Sequence, residues 1–315
     1  MLKVALVGVG GISGTHIPCW EKMDDVELVA LCDIRPERLE KYENKRTYTD
    51  FDEMLANEEI DILDICVPTY LHVDFAVKAM EKGIHVLSEK PISMKKEDVK
   101  RAYDCAEKMG VCFMVAQVLR FWDEYVYLKD IIDSKKYGKL LAGYMGRLGP
   151  KPKWSWDGWY FDEKRSGLVP YDLHIHDLDF MVYALGKPQN VSAHQIVRPE
   201  QDYMSVTYDY GDYFVNAEAS WYAGAYPFQA SFRFVFEGAI VEFKGTLKVY
   251  ENDGTILDLT GGGEGGAVLG LPKTNAYGNE IRYFTDCVKN GTKPDRVKPF
   301  ELETVIECID IIKGR

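Results

Sequence analysis

The chain has no C-x-x-C pair, no excess of basic residues, no long apolar run and no long low-complexity tract. Each absence excludes a class. The seven cysteines (Cys19, Cys32, Cys66, Cys105, Cys112, Cys287 and Cys308) are odd in number and scattered, several of them inside apolar runs. They read as reduced core thiols, not as a disulfide framework, a redox pair or a metal site, so no metal is expected. A net charge of −12 with dispersed lysines and arginines would repel a phosphate backbone, which excludes nucleic acid as a partner. The apolar stretch 4–9 is broken by Gly8, Gly10 and Gly11, too early for a signal-peptide core or a membrane span. The expectation is a cytoplasmic protein without membrane contact.

What is present is ordinary globular composition, 46% hydrophobic and 28% charged, in a chain of 315 residues, long enough for two domains. Over the first 120 residues, apolar runs at 4–9, 26–32, 62–67, 84–87 and 112–116 alternate with helix-like segments. Those segments are 15–23, 36–41, 50–56, 73–82 and 95–109; Asp50 suits an N-cap, and Gly83 and Gly110 suit helix ends. Continuous rather than alternating apolar strands predict a parallel sheet covered on both faces. After Arg120 the texture changes to alternating strands at 140–147, 191–196, 203–210, 213–221, 229–236, 240–243 and 247–250. This predicts an α/β Rossmann domain over 1–120 and an α+β domain with a large, open, mainly antiparallel sheet over 121–315. The segment 261–266 reads as a surface loop.

Three constellations carry chemistry. Gly8-Val9-Gly10-Gly11-Ile12-Ser13-Gly14 follows a strand and opens a helix, as a dinucleotide-binding turn does, with the pyrophosphate against the helix N-terminus. Asp33 ends the next strand, where a carboxylate accepts hydrogen bonds from the adenosine ribose hydroxyls. Glu89-Lys90-Pro91 and Val67-Pro68-Thr69-Tyr70-Leu71-His72 end two further runs, and ligands of such sheets bind beyond the carboxyl ends of strands. The third lies within 167–179, where Leu178, Met181, Val182 and Leu185 repeat at helical spacing. Asp172 and His176 are then neighbours one turn apart, a carboxylate placed to orient an imidazole. A strand would instead put Asp172, His174 and His176 on one side as a metal-ligand set.

Together these residues, with an Arg-Phe-x-x-x-Tyr segment (Arg120, Phe121, Tyr125), resemble the glucose-fructose oxidoreductase, inositol dehydrogenase and rhizopine catabolism family, Gfo/Idh/MocA. The resemblance runs over nearly the whole chain, departing at Ser13, where a small apolar residue is usual, and at His174, where many members have glycine. It implies a Rossmann domain followed by a dimerising domain, with Lys90, Asp172 and His176 at the catalytic positions. Cofactor contacts are expected from Gly8, Gly10, Gly11, Ile12, Ser13, Asp33, Arg35, Arg38, Pro68, Thr69, His72, Glu89, Lys90 and Arg120. Substrate contacts are expected from Lys90, Tyr125, Trp159, Asp172 and His176; Trp159 belongs to an aromatic stretch with Trp154 and Trp156 that suits a sugar ring. The expected activity is hydride transfer between NAD, with NADP second, and a secondary alcohol of a sugar, inositol or related polyol, by a homodimer or homotetramer. Two rivals stand beside it, an NAD-dependent glycosidase that oxidises transiently and a non-catalytic dinucleotide-sensing regulator.

Overall fold

Six short parallel strands form the first sheet of the computed structural model, which describes residues 1–153, 155–199, 201–259 and 275–314. They are β1 (Leu2–Val7), β2 (Val26–Cys32), β3 (Arg46–Tyr48), β4 (Ile62–Ile65), β5 (His85–Glu89) and β6 (Phe113–Ala116), in the order 3-2-1-4-5-6. That order reverses direction between β1 and β4, and the crevice beyond their carboxyl ends is where such sheets bind ligands. All four residues of β4 and of β6 are buried, as runs covered on both faces must be. The covering helices are α1 (Ser13–Glu21), α2 (Phe51–Asn57), α3 (His72–Met80) and α4 (Lys96–Met109). Asp50 caps α2 by accepting the Glu53 N–H at 2.8 Å, and Gly110 closes α4 with φ 68°, a left-handed cap that glycine adopts without strain. The segment 36–41, expected as a helix, contributes only a single 3₁₀ turn, Pro36–Arg38, and the short edge strand β3 was not foreseen. With two charged residues in three, a 3₁₀ turn has no apolar stripe to hold it on the sheet.

Beyond β6 the chain runs through α5 (Asp123–Ser134), β7 (Leu140–Pro150), the single turn α6 (Glu163–Ser166) and α7 (Ile175–Leu185). There follow β8 (Asn190–Arg198), β9 (Gln201–Asp209), β10 (Phe214–Tyr222), β11 (Gln229–Phe236), β12 (Ala239–Lys244), β13 (Leu247–Glu251) and β14 (Ile256–Asp258). Two helices close the chain, α8 (Ala276–Asn290) and α9 (Pro299–Ile312). The second sheet has the order 14-13-12-11-7-10-9-8, antiparallel throughout except for the parallel pair β7 and β10. Alternation decides its faces. On β9, Asp202, Met204, Val206 and Tyr208 are buried while Tyr203, Ser205, Thr207 and Asp209 are exposed.

Packing divides the chain into two units, residues 1–118 with 276–299, and 119–275 with 300–315. The return of α8 to the first unit, where it packs on α1, has no counterpart in the sequence reading. Among the described residues no helix is long and apolar enough to cross a membrane. The segment 261–266 and Trp154 lie outside the described residues.

Candidate active site

The turn after β1 needs a glycine at its first position. Gly8 has φ 94°, and a Cβ there would stand 2.5 Å from the carbonyl carbon and oxygen of Cys66. A Cβ on Gly10 would meet nothing within 4 Å, so the chain leaves open space over the turn. No side chain caps the N-terminus of α1, which starts directly beyond. Open space over glycine and an uncapped helix start are what a pyrophosphate requires, so these residues fit a dinucleotide. Ser13 is buried and folds back, its hydroxyl donating to the Gly10 carbonyl at 2.9 Å, which leaves Ile12 half-buried beside it.

Asp33 follows β2 and is buried with its carboxylate already engaged. It accepts the Val9 N–H at 2.8 Å, tying the strand end to the glycine turn. Arg35 folds onto it, donating its backbone N–H at 2.9 Å and its Nε and Nη2 at 3.1 and 3.2 Å. Arg38 is exposed. The sequence places Asp33 correctly at a strand end but gives no sign that Arg35 would neutralise part of its charge.

At the ends of β4 and β5, Pro68 is half-buried, Thr69 buried and His72 fully enclosed. His72 stands with Nδ1 2.7 Å from the Pro91 carbonyl oxygen and Nε2 2.7 Å from that of Val67. Burial pulls its pKa below the ordinary value. Carbonyls only accept, however, and these two contacts are both satisfied only when both ring nitrogens carry hydrogen, so the contact geometry favours the cation. Glu89 is buried, and Lys90 is half-buried between buried neighbours.

Sequence reasoning missed a cluster beside these residues. His16, on α1, is fully buried, with Nδ1 2.9 Å from Asp64 Oδ2 and Nε2 3.1 Å from Glu89 Oε1. Trp20 donates to the same Asp64 oxygen at 2.7 Å, and the Cys66 thiol lies 3.7 Å from His16 Nδ1. Burial opposes a charge on His16, but the Asp64 carboxylate more than offsets it and holds its pKa well above the ordinary value. Burial pushes the Cys66 thiol up, so it stays protonated. His16, Asp64 and Cys66 stand close enough to share a metal ion, but their donors and acceptors answer one another in a hydrogen-bonded network. The available signal was Asp64, a lone carboxylate inside an apolar run, which burial obliges to find a partner.

The segment before α7 is helical, but not uniformly. A π-helical turn, Pro170–His174, leads into α7, so Asp172, His174 and His176 do not alternate as on a strand. Of residues 171–182 only Asp172 and His176 are not buried. A buried segment that opens at one carboxylate and one imidazole, four residues apart, has the form of an orienting pair. His174 is a different kind of residue. It is fully buried, shares a 2.6 Å hydrogen bond with the Tyr208 hydroxyl, and is held neutral by burial, helped by Arg147, with its pKa down to about 3.

Two of the expected contact residues lie in the core of the second unit. Arg120 has 0% exposure; Asp179 accepts from its Nη2 at 2.7 Å and its Nε at 2.8 Å, and Glu301 accepts from Nη1. Its guanidinium therefore holds the core together, in place of the cofactor contact expected of it. Tyr125 is also at 0%, its hydroxyl accepting from Arg147 at 3.2 Å and its ring edge-on to Phe180 and Phe232 at 5.0 and 5.1 Å. In place of the expected substrate contact it packs a core that also holds the Arg147–Asp177 ion pair. Trp159 is half-buried and stacked on Tyr160 at 4.2 Å.

Two family models match the chain. Residues 2–117 match that of the GFO/IDH/MocA oxidoreductase family, NAD-binding Rossmann fold, and residues 125–253 match the GFO/IDH/MocA C-terminal domain. D-glucoside 3-dehydrogenase of Escherichia coli is 31% identical over 204 residues, 61% of this chain and 57% of that protein. Inositol 2-dehydrogenase of Salmonella typhimurium is 28% identical over 193 residues, 59% of this chain and 55% of that protein. These matches span somewhat over half of the relatives' lengths. In fold, levoglucosan dehydrogenase, solved with NADH and levoglucosan, superposes with a TM-score of 0.85 at 19% identity, covering 99% of this chain and 96% of the other.

Proposed function

Because the chain belongs to the GFO/IDH/MocA oxidoreductase family, we propose that it is an NAD-dependent dehydrogenase acting on a secondary alcohol of a sugar, inositol or related polyol. The observation that carries this reading is Asp172 and His176, the only residues of 171–182 that are not buried, in a chain whose glycine turn fits a dinucleotide. When bound, the nicotinamide supplies the hydride acceptor. His176 takes the hydroxyl proton, Asp172 orients the imidazole or grips a neighbouring hydroxyl, and the Lys90 ammonium stabilises the developing alkoxide. A panel of sugars, glucosides and inositols, followed by the absorbance of reduced nicotinamide, tests the activity. Product release with no change in absorbance would point to transient oxidation instead, and tight NADH binding with no turnover of any polyol would point to a sensor.

Asp33 sets cofactor preference in this reading. Its carboxylate repels a 2′-phosphate and accepts from free ribose hydroxyls, while Arg35 softens the repulsion. Asp33→Ala is expected to weaken NAD binding by about 1.5–3 kcal/mol, the worth of hydrogen bonds to a charged group. Calorimetry on the parent protein checks the premise, and equal or tighter binding of NADP than of NAD would overturn it.

The second sheet supports a homodimer or homotetramer. The face opposite its core carries Ile196, Tyr203 and Phe214 at 57%, 38% and 44% exposure, surface that a second copy would cover. Light scattering at micromolar concentration is expected to give a multiple of the chain mass; a monomer would rule this out. The seven free thiols suit a reducing, cytoplasmic setting.

A further inference from the structure

The buried network around His16 ends on the backbone of Lys90. One Glu89 oxygen faces His16 Nε2 at 3.1 Å, and the other accepts the Lys90 N–H at 3.0 Å. On the far side of His16, Nδ1 meets Asp64 at 2.9 Å, and Trp20, one turn along α1, holds the same carboxylate. Carboxylates accept, so a ring with one at each nitrogen is satisfied when it donates from both. A continuous line of bonds therefore runs from Asp64 through His16 and Glu89 to the Lys90 amide, entirely within the first unit. The next residue, Pro91, is held from the other side by His72.

We infer that His16 is a positioning residue for Lys90: by fixing the Glu89 carboxylate it fixes the backbone from which Lys90 projects and ties it to the helix that begins at the glycine turn. A lysine side chain is long and flexible, so its ammonium is placed only as well as its root is held, and small misplacements of a reacting group are costly. The inference rests on the reading of Lys90 as a reacting-site residue.

Two substitutions separate positioning from mere packing. Glutamine reaches as far as Nε2, so His16→Gln can keep the bond to Glu89, whereas asparagine reaches only as far as Nδ1, so His16→Asn keeps Asp64 and loses Glu89. Hydrogen–deuterium exchange at the Lys90 amide and steady-state kinetics on the substrate found by the screen are measured on the full chain with NAD. His16→Asn is expected to speed exchange at Lys90 and to lower kcat, each by roughly tenfold, the equivalent of one net hydrogen bond, with the KM for NAD little changed. His16→Gln should restore both towards parental values. Trp20→Phe loosens Asp64 alone and should lower the urea midpoint without moving either readout. If His16→Asn does not fold, Glu89→Ala breaks the same bond and carries the same expectation. Parental exchange and kcat in His16→Asn or Glu89→Ala, or equal loss in the Asn and Gln variants, would overturn the inference. Faster exchange in His16→Asn together with full turnover in Lys90→Ala would remove the reading of Lys90, and the inference with it.

Discussion

Replacing His176 by alanine should slow the chemical step by roughly 10²–10⁴-fold, the loss that follows removal of a positioned acid–base group, while NAD affinity stays near the parental value. In free energy that is about 3–5.5 kcal/mol of transition-state stabilisation. The size follows from the role. His176 is half-buried in a helical segment whose residues 171–182 are otherwise buried except for Asp172, and its Nδ1 is shielded from solvent, so the ring does not stand on an open surface. Lys90, half-buried with its flanking residues fixed, should show a comparable loss on truncation to alanine. A helix-surface histidine and a turn lysine would instead change rate and stability only slightly. Single-turnover measurements distinguish the two cases, and near-parental rates in both variants would refute the assignment.

Arg120→Ala should destabilise the second unit by about 3–5 kcal/mol, because it leaves two buried carboxylates without their cation. Asp179 meets the guanidinium with both oxygens and Glu301 meets it with one, all in the core. Burial opposes the charge on Arg120, but Asp179 and Glu301 more than offset it and raise its pKa. Burial lifts Asp179 above its usual carboxylate range, yet a guanidinium that does not deprotonate keeps the pair ionised. The urea midpoint checks this, together with NAD affinity. A small shift in midpoint with a large loss of NAD binding would return Arg120 to the cofactor role that its sequence context suggests.

The elements of this protein follow from local pattern. Apolar runs gave five of the six strands of the first sheet, alternation gave seven of the eight strands of the second and missed β14, and Asp50, Gly110 and the glycine turn marked their own ends. Such signals depend on neighbours a few residues away, so they are present in the chain before it folds. That Asp172 and His176 lie on one helical segment was legible for the same reason, although the π-helical turn within it was not.

Only the tertiary structure decided which of the charged residues are locked into the core. Arg120 finds Asp179 at a separation of 59 residues and Glu301 at 181, and His16 finds Asp64 at 48 and Glu89 at 73. No periodicity reports contacts at such range. A buried charge has to be matched wherever the topology brings a counter-charge, and that match is made by the folded chain as a whole.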